Sequence, residues 1–447
     1  MTRNQRPLAV DLFAGVGGLS LGFEQAGFDV ACAVEYDPVH AAAHKYNFPA
    51  TAVINGDVSE VTGADIRARS GIGDRTVSVV FGGSPCQGFS MIGKRSMDDP
   101  RNALVRHFMR IVVELESDYF VFENVKGLTI GKHKAFLDEI IEGFAACGYD
   151  LITPYNVLNA SWFGVPQDRW RLFLVGCRKG LTLPSYPKPV TSPALSRKPI
   201  DGLPVGPTVM DALSDLPDAE LFDSLLTTDV AEAELGPPTS YTAVLRGLSD
   251  DPQDFSHPRQ RLPSGVITSS TRSEHTALTR SRFASTKPGT VEPVSRFLRL
   301  NPDGVCNTLR AGTGSERGGF TAARPIHPVF ARCITVREMA RLHSYPDWFR
   351  FNWTKWHGAR EVGNSVPPRL ARAVAGSVMT AIGHRPSRPE GILSPGDDRL
   401  LYMDAGSATK YFAGIGGPDR DPGYFAKLDA YIERELGPLG EFEPAAE

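Results

Sequence analysis

The sequence has 447 residues, of which 41% are hydrophobic and 22% are charged, and its formal net charge is −3. This composition is typical of a soluble globular chain that is long enough for two or three domains. No window approaches the ~18 uninterrupted apolar residues of a membrane span. The N-terminus also lacks a long apolar segment, so we expect neither a signal peptide nor a membrane span.

Six cysteines are scattered along the chain. They form no Cys-x-x-Cys pair and have no histidine partner at metal-ligand spacing, so we expect no metal site. This cysteine usage is typical of a reducing compartment, and we therefore predict a cytoplasmic location. The cysteines are residues 32, 86, 147, 177, 306 and 333.

From residue 8 to about residue 180, apolar runs alternate with helical patterns. The runs LAVDLF, DVACAVE and TAVINGDV are separated by the helical stretches LSLGFEQAG and DPVHAAAHKY. This alternation predicts an α/β fold with a doubly wound, mostly parallel sheet and helices on both faces. Sheets of this kind bind ligands beyond the carboxyl ends of their strands.

The turn after the first predicted strand, residues 13–18, is rich in glycine. Glycines there let main-chain N–H groups approach a ligand at the start of the next helix. The spacing is not G-x-G-x-x-G, because Ser20 occupies the last position, and this favours a smaller adenosyl ligand over a dinucleotide. Glu35 ends the second strand, where it can hold ribose hydroxyls, and Asp57 follows the third, where it can accept from an exocyclic amine. Either acid alone could instead be a helix cap or a surface charge.

Cys86 lies in GGSPCQGFS (82–90), directly after the apolar run Val77 to Phe81. A buried strand that ends in a glycine-rich turn would present this thiol as a nucleophile. Glu123 ends the next strand, DYFVFE, where burial would raise its pKa and let it act as a general acid. A structural carboxylate is the alternative.

Two arginines, Arg169 and Arg171, alternate at the entry of a later strand and would therefore share one face. Two guanidinium groups on one face suit an oxyanion or a carbonyl. Ordinary ion pairing is the alternative.

The alternating pattern stops between residue 181 and about residue 330. A proline-rich stretch, LPSYPKPVTSPALSRKP, predicts a linker. Residues 201–255 then carry 12 acidic side chains and one basic one, whereas residues 256–332 carry 12 basic and four acidic ones. The second block would attract phosphates, or it could be an arginine-rich solvated face.

Two helices are predicted after this region. Thr335 is the expected N-cap of the first, with Glu338 completing a capping box. The second has prolines in its first turn, in VGNSVPPRL. An amphipathic segment further on ends at Gly437 and would form a surface helix or contact a partner.

Six motifs together resemble the series of the bacterial DNA cytosine-5 methyltransferases. The resemblance covers roughly residues 8–180 and 305–380. It implies a Rossmann-like, S-adenosylmethionine-dependent methyltransferase fold with a smaller inserted target-recognition domain. The motifs are DLFAGVGGLSLGF (11–23), GGSPCQGFS (82–90), FENVKG (122–127), QDRWRLFLVG (167–176), RCITVREMARLHSYPDWF (332–349) and VGNSVPPRLARAVA (362–375).

The resemblance also implies a covalent mechanism on cytosine. C5 of cytosine is a poor nucleophile, so the thiolate of Cys86 would add to C6 while Glu123 protonates or hydrogen-bonds N3. Arg169 and Arg171 would steady the base carbonyl and the thiolate loop. The residues that the resemblance places around S-adenosylmethionine are Phe13, Gly15, Gly17, Gly18, Glu35, Asp57, Val58, Pro85, Leu104, Asn364, Ser365 and Val366.

An enzyme of this kind must swing its target nucleotide out of the duplex. We expect the apolar residues Met91 and Ile92 to fill the resulting gap. The basic block supplies the candidate contacts to DNA phosphates, which are Arg280, Arg282, Arg310, Arg317 and Arg324.

We therefore expect a catalytic, S-adenosylmethionine-binding domain (1–180), a target-recognition region (181–334), a scaffold with a returning helix (335–384) and a C-terminal extension (385–447). The expected function is site-specific methylation of cytosine C5 in double-stranded DNA, in restriction-modification or phage defence, alongside a cognate restriction endonuclease or defence-system proteins. The alternatives are a tRNA cytosine-5 methyltransferase, a DNA-binding regulator with lapsed catalysis and, more remotely, a thiol hydrolase.

Overall fold

The computed structural model describes residues 5–84, 103–129, 133–263, 265–312 and 324–414. Several predictions fall outside these residues: those on Pro85, Cys86, Met91, Ile92 and Arg317, and the amphipathic segment that ends at Gly437. No helix in the described ranges is long and apolar enough to cross a membrane.

One eight-stranded sheet organises the N-terminal part of the chain. Its strand order is β3-β2-β1-β4-β5-β9-β6, and β7 also pairs with β9. The first five strands run parallel, and β9 is antiparallel to β5. The strands are β1 (Leu8–Leu12), β2 (Asp29–Glu35), β3 (Ala52–Asn55), β4 (Val77–Gly83), β5 (Tyr119–Val125), β6 (Tyr149–Leu151), β7 (Asn156–Asn159) and β9 (Trp170–Arg178).

Helices cover both faces of this sheet because successive side chains of each strand point to opposite faces. In β1, Leu8, Val10 and Leu12 pack with α3, α4 and α5. Ala9 packs on the other face, with α1 and the late helix α11. The predicted doubly wound α/β fold is confirmed. The helices are α1 (Gly18–Gln25), α2 (Pro38–Asn47), α3 (Gly63–Ser70), α4 (Ala103–Glu114), α5 (His133–Ala146) and α11 (Pro368–Ile382).

The predicted recognition region, residues 181–334, contains little regular structure among its described residues. Its proline-rich stretch packs against the sheet, since Tyr186 Oη donates to the carbonyl of Phe173 at 2.7 Å. The remaining strands are β8 (Gln167–Asp168), β10 (Ala231–Glu232), β11 (Val266–Ile267) and β12 (Cys306–Asn307). The remaining helices are α6 (Val209–Leu213), α7 (Ser240–Leu245), α8 (Ala277–Ser285), α9 (Val336–Leu342), α10 (Lys355–Asn364) and α12 (Ala405–Phe412).

Local sequence signals set the ends of the late helices. Thr335 accepts from the main-chain N–H of Glu338, whose carboxylate accepts from the N–H of Thr335, so the predicted capping box at α9 is confirmed. Prolines open α11, and Gly383 ends it in the left-handed region at φ 74°. Glycine pays no steric cost there.

A second hydrophobic core joins stretches that are far apart in the chain. It contains Tyr46 of α2, Leu213 of α6, Met339 of α9 and Leu401 just before α12. The predicted division at residues 181, 335 and 385 stays a prediction, but this core includes residues from all four predicted units.

Candidate active site

The carboxyl ends of β4 and β5 and the start of β9 meet at one edge of the sheet, which carries the predicted catalytic residues Glu123 and Arg171. Gly83 at the end of β4 lies opposite Glu123 near the end of β5. A Cβ atom on Gly83 would overlap Glu123 Oε2. The glycine that precedes the Cys86 segment therefore leaves space for this carboxylate.

Glu123 is buried and forms an ion pair with Arg171. The Arg171 Nε atom lies 2.8 Å from Glu123 Oε1. Burial raises the pKa of Glu123, although the guanidinium groups of Arg171 and Arg169 act in the opposite direction. A carboxyl group held in this way can keep a proton at higher pH than an exposed one and can donate it to a buried ligand.

The segment that contains Cys86 begins next to this carboxylate. Ser84 is the last described residue before it, and the Ser84 carbonyl accepts a hydrogen bond of 3.4 Å from Asn124 Nδ2. Asn124 directly follows Glu123. The sequence thus enters the predicted thiol loop beside the candidate general acid.

The side chain of Arg169 has different contacts from that of Arg171, the second arginine of the predicted pair. Its side chain is fully buried. Its Nη1 donates to the carbonyl of Leu309 at 2.8 Å, and its Nη2 donates to the carbonyls of Gly363 and Ser365, each at 2.7 Å. These bonds tie β9 to the recognition region and to the segment between α10 and α11. The terminal nitrogens of Arg169 are therefore committed to main-chain carbonyls, which gives this residue a positioning role.

Glu35 organises the glycine-rich turn after β1. Its Oε2 accepts from the N–H of Gly15 at 2.7 Å, and its Oε1 accepts from the N–H of Asp37 at 2.8 Å. Burial raises the pKa of Glu35 to about 7. Phe13 and Gly15 both have positive φ, at 59° and 54°. The turn is therefore tightly constrained around the carboxylate predicted to hold a ribose.

Two glycines of the turn are required by close packing. A Cβ on Gly17 would overlap the ring of Phe48. A Cβ on Gly18 would overlap the carbonyl of Val366 and would lie 2.6 Å from Tyr345 Oη and 2.9 Å from Ser365 Cβ. The structure thus places Ser365 and Val366 against the turn. Their part in a cofactor site stays a prediction.

The remaining predicted cofactor residues lie on the neighbouring elements. Asp57 is half-buried and its Oδ1 accepts from the N–H of Ser59 at 2.8 Å. Val58 is buried, and Leu104 is half-buried in the first turn of α4. The structure does not show a direct contact of Asp57 with the glycine-rich turn.

Sequence reasoning missed Tyr36. It directly follows Glu35, and 73% of it is exposed. Asn55 Nδ2 donates to its main-chain carbonyl at 3.0 Å. An exposed aromatic ring beside a carboxylate that is predicted to hold a ribose is suited to stack on a base. The signal was available, since an aromatic residue directly after a strand-end acid is visible in the sequence.

The acidic and basic blocks of the recognition region pair with each other. Arg280 lies 2.5 Å from Glu220, and Arg332 lies 2.7 Å from Asp218. Within the basic block itself, Arg282 lies 3.6 Å from Glu292. These pairs neutralise part of the field that the basic block was expected to present.

Two other predicted DNA contacts differ in environment. Arg310 is exposed, and its main chain packs against Gly363 of α10. Arg324 is half-buried, and its Nη2 donates to Ser273 Oγ at 2.7 Å. Arg310 is thus the better placed of the two to reach a phosphate.

The residues around the glycine-rich turn fit an adenosyl cofactor. The turn is open at Gly15, where a Cβ atom would meet nothing within 4 Å. Glu35 supplies a buried carboxylate and Tyr36 an exposed ring at the same strand end. This donor set matches the ribose and base of such a ligand.

The chain is similar to one family model and to two methyltransferases of known sequence. A family model described as C-5 cytosine-specific DNA methylase matches residues 9–380. The chain is 55% identical over 407 residues to the Type II methyltransferase M.XorII of Xanthomonas oryzae pv. oryzae, which covers 91% of this chain and 92% of that protein. It is 31% identical to the Type II methyltransferase M.AgeI of Thalassovita gelatinovora, over 83% of this chain and 99% of that protein.

A solved structure is also similar. It is a prophage-encoded protein of E. coli described as a DNA modification methyltransferase. The TM-score is 0.67 at 33% identity, and the match covers 84% of this chain and 99% of that one.

Proposed function

This chain belongs to the C-5 cytosine-specific DNA methylase family, and we propose on that basis that it transfers a methyl group from S-adenosylmethionine to cytosine through a covalent bond to Cys86. It is a DNA (cytosine-5) methyltransferase. The observation that carries the finer proposal is the buried Glu123–Arg171 pair beside the start of the Cys86 segment.

The proposed reaction begins with a cytosine outside its duplex. The Cys86 thiolate adds to C6 and forms a carbon–sulfur bond, while Glu123 gives its proton to N3. The electron pair of the C5–C6 double bond becomes available at C5. Arg171 holds the Glu123 carboxylate in place as it becomes charged.

When bound, S-adenosylmethionine supplies the methyl group that C5 accepts. Glu35, Tyr36 and the glycine-rich turn would hold its adenosyl part, and the segment 364–366 would close over it. A base then removes the C5 proton, and the electron pair restores the C5–C6 double bond as the carbon–sulfur bond breaks. Cys86 leaves as a thiolate, and N3 returns its proton to Glu123. Arg169 acts indirectly, because it fixes the segment 364–366 through Gly363 and Ser365.

We propose double-stranded DNA as the substrate and a restriction-modification system as the setting. The Type II relatives support this assignment, since they cover nearly the whole chain. In such a system a cognate restriction endonuclease would be the partner. A tRNA substrate is the competing assignment.

The test uses the full-length protein with radiolabelled S-adenosylmethionine. We expect label to enter plasmid DNA and not tRNA, and we expect Cys86→Ser to abolish the transfer. Oligonucleotides that contain 5-fluorocytosine should become covalently trapped on the wild-type protein, because fluorine at C5 blocks the final elimination. Transfer without trapping would contradict the covalent step, and label in tRNA alone would contradict the substrate.

A further inference from the structure

A second cluster of polar side chains lies two residues beyond Glu35. It consists of Asp37, His40 and His357. One carboxylate oxygen and one ring nitrogen from each histidine lie within 4.8 Å of one another. Asp37 and His40 belong to the start of α2, and His357 belongs to the first turns of α10. The methyl-transfer mechanism uses none of the three.

Both histidines have a buried ring nitrogen without a hydrogen-bond partner in the described part of the chain. These atoms are Nε2 of His40 and Nδ1 of His357. His40 is only 4% exposed, and its Nε2 lies 3.8 Å from Asp37 Oδ2. A buried polar atom without a partner costs about 1–3 kcal/mol. The unpartnered Nε2 of His40 faces a carboxylate oxygen of Asp37, and this indicates a missing ligand.

The two oxygens of Asp37 have different surroundings. Oδ1 caps α2 by accepting from the N–H of Val39 at 3.0 Å. Oδ2 is the atom that faces the His40 ring. The helix cap therefore fixes the direction of the carboxylate and leaves its second oxygen for another partner.

An ion pair between His40 and Asp37 does not explain the cluster, because His40 Nε2 and Asp37 Oδ2 are 3.8 Å apart, too far for a hydrogen bond. An imidazole nitrogen with a free lone pair is the form that binds metals.

We propose that Asp37, His40 and His357 bind a divalent transition-metal ion, and that zinc is the best match. Two imidazoles and one carboxylate are a known zinc donor set, with a fourth position left for water. Donor atoms around tetrahedral zinc are about 3.3 Å apart, as follows from zinc–ligand distances of about 2.0–2.1 Å. The 3.8 Å between His40 Nε2 and Asp37 Oδ2 therefore needs to shorten by about half an ångström, and the wider separations, up to 4.8 Å, by up to about 1.5 Å.

Two further acids would support the ion from outside the ligand set. His40 Nδ1 lies 4.0 Å from Glu35 Oε1, and a small ring movement would let it donate to that carboxylate. Glu361 lies one turn after His357 on α10, and its buried Oε1 has no partner among the described residues. Arg360 opposes the ion, because its charge acts on both histidines.

The bound ion would link α2 to α10. Helix α10 ends at Asn364, where the segment that closes over the glycine-rich turn begins. The metal would therefore hold that segment against the cofactor edge of the sheet. No local sequence pattern indicates this cluster, since His357 lies more than 300 residues from His40.

The experiment measures metal binding by the full-length protein after treatment with a chelator. Zn²⁺ is titrated by calorimetry, and Co²⁺ is titrated with detection of the visible absorption bands of tetrahedral cobalt. We expect one equivalent of each ion to bind. Asp37→Asn is the sharpest variant, because asparagine also caps helices but lacks the anionic oxygen.

Asp37→Asn, His40→Ala and His357→Ala should each weaken Zn²⁺ binding by about tenfold or more. His384→Ala, which changes a half-buried histidine after α11, is the matched control and should bind like wild type. All variants keep the same cysteines, so binding at thiols would survive in every one. The proposal is overturned if wild type binds no ion at micromolar metal, or if Asp37→Asn binds as tightly as wild type.

A thermal readout guards against misfolding. Asp37→Asn without metal should melt at the wild-type temperature, and Zn²⁺ should raise the melting temperature of wild type but not of this variant. An equal increase in both proteins would also overturn the proposal.

Discussion

Replacement of Gly18 by alanine tests whether the returning segment forms part of the cofactor site. The new Cβ would lie 2.6 Å from Tyr345 Oη, whereas ordinary contacts begin at 3.4 Å. The neighbouring groups, including the Val366 carbonyl, must therefore move by about 0.8 Å or more. Overpacking of this kind costs about 1–3 kcal/mol. If the segment moves away from the turn, that cost appears in cofactor binding as a loss of about 5- to 150-fold in affinity.

The assay is calorimetric titration of S-adenosylmethionine, with a thermal melt of each protein. Gly376→Ala is the matched control, because a Cβ at this position on α11 meets nothing within 4 Å. That variant should bind the cofactor like wild type and be slightly more stable, since alanine favours helix by about 1 kcal/mol over glycine. Wild-type affinity in Gly18→Ala would refute the assignment of residues 364–366 to the site.

Three further predictions concern single side chains. Glu123→Gln should lower the turnover rate by about 100-fold or more. Because burial raises the Glu123 pKa above 4.5 in the folded state, wild type should also lose stability relative to this variant as the pH rises from about 4.5 through the raised pKa. A pH-independent difference between the two proteins in denaturant unfolding would contradict this. Arg169→Lys should destabilise the protein by about 2 kcal/mol or more, because a lysine cannot reach three carbonyls in the same geometry. Arg171→Lys should mainly lower the turnover rate, and equal melting temperatures for the two variants would count against the positioning role of Arg169. Arg310→Ala should weaken DNA binding and reduce the dependence of affinity on salt by about one phosphate contact. Arg197→Ala, at an exposed arginine of the proline-rich stretch, should leave both quantities unchanged; fluorescence anisotropy at several salt concentrations measures them.

The sequence predicted those features that depend on neighbouring residues. Strand–helix alternation gave the doubly wound sheet, and the Thr335–Glu338 spacing gave the capping box. The order of the strands places Glu123 beside the start of the Cys86 segment. These features follow from hydrophobic periodicity and from hydrogen bonds within one turn of chain.

Features that depend on distant residues could not be predicted in this way. Arg169 reaches carbonyls that lie 140 to 196 residues further along the chain. Its sequence pattern with Arg171 suggested two equal partners, but burial separated their roles. The sequence shows how many charges residues 201–332 carry, but only the fold shows that Glu220 pairs with Arg280 and neutralises it.

The second hydrophobic core limits how the recognition region can be exchanged between relatives. Tyr46, Leu213, Met339 and Leu401 contribute to one apolar interior although they come from four separate stretches. A chimera cut at residues 181 and 335 would separate Leu213 from the partners with which it packs. A chimera that is meant to change target specificity should therefore exchange surface loops and keep these four apolar residues of the recipient protein, so that its second core stays intact.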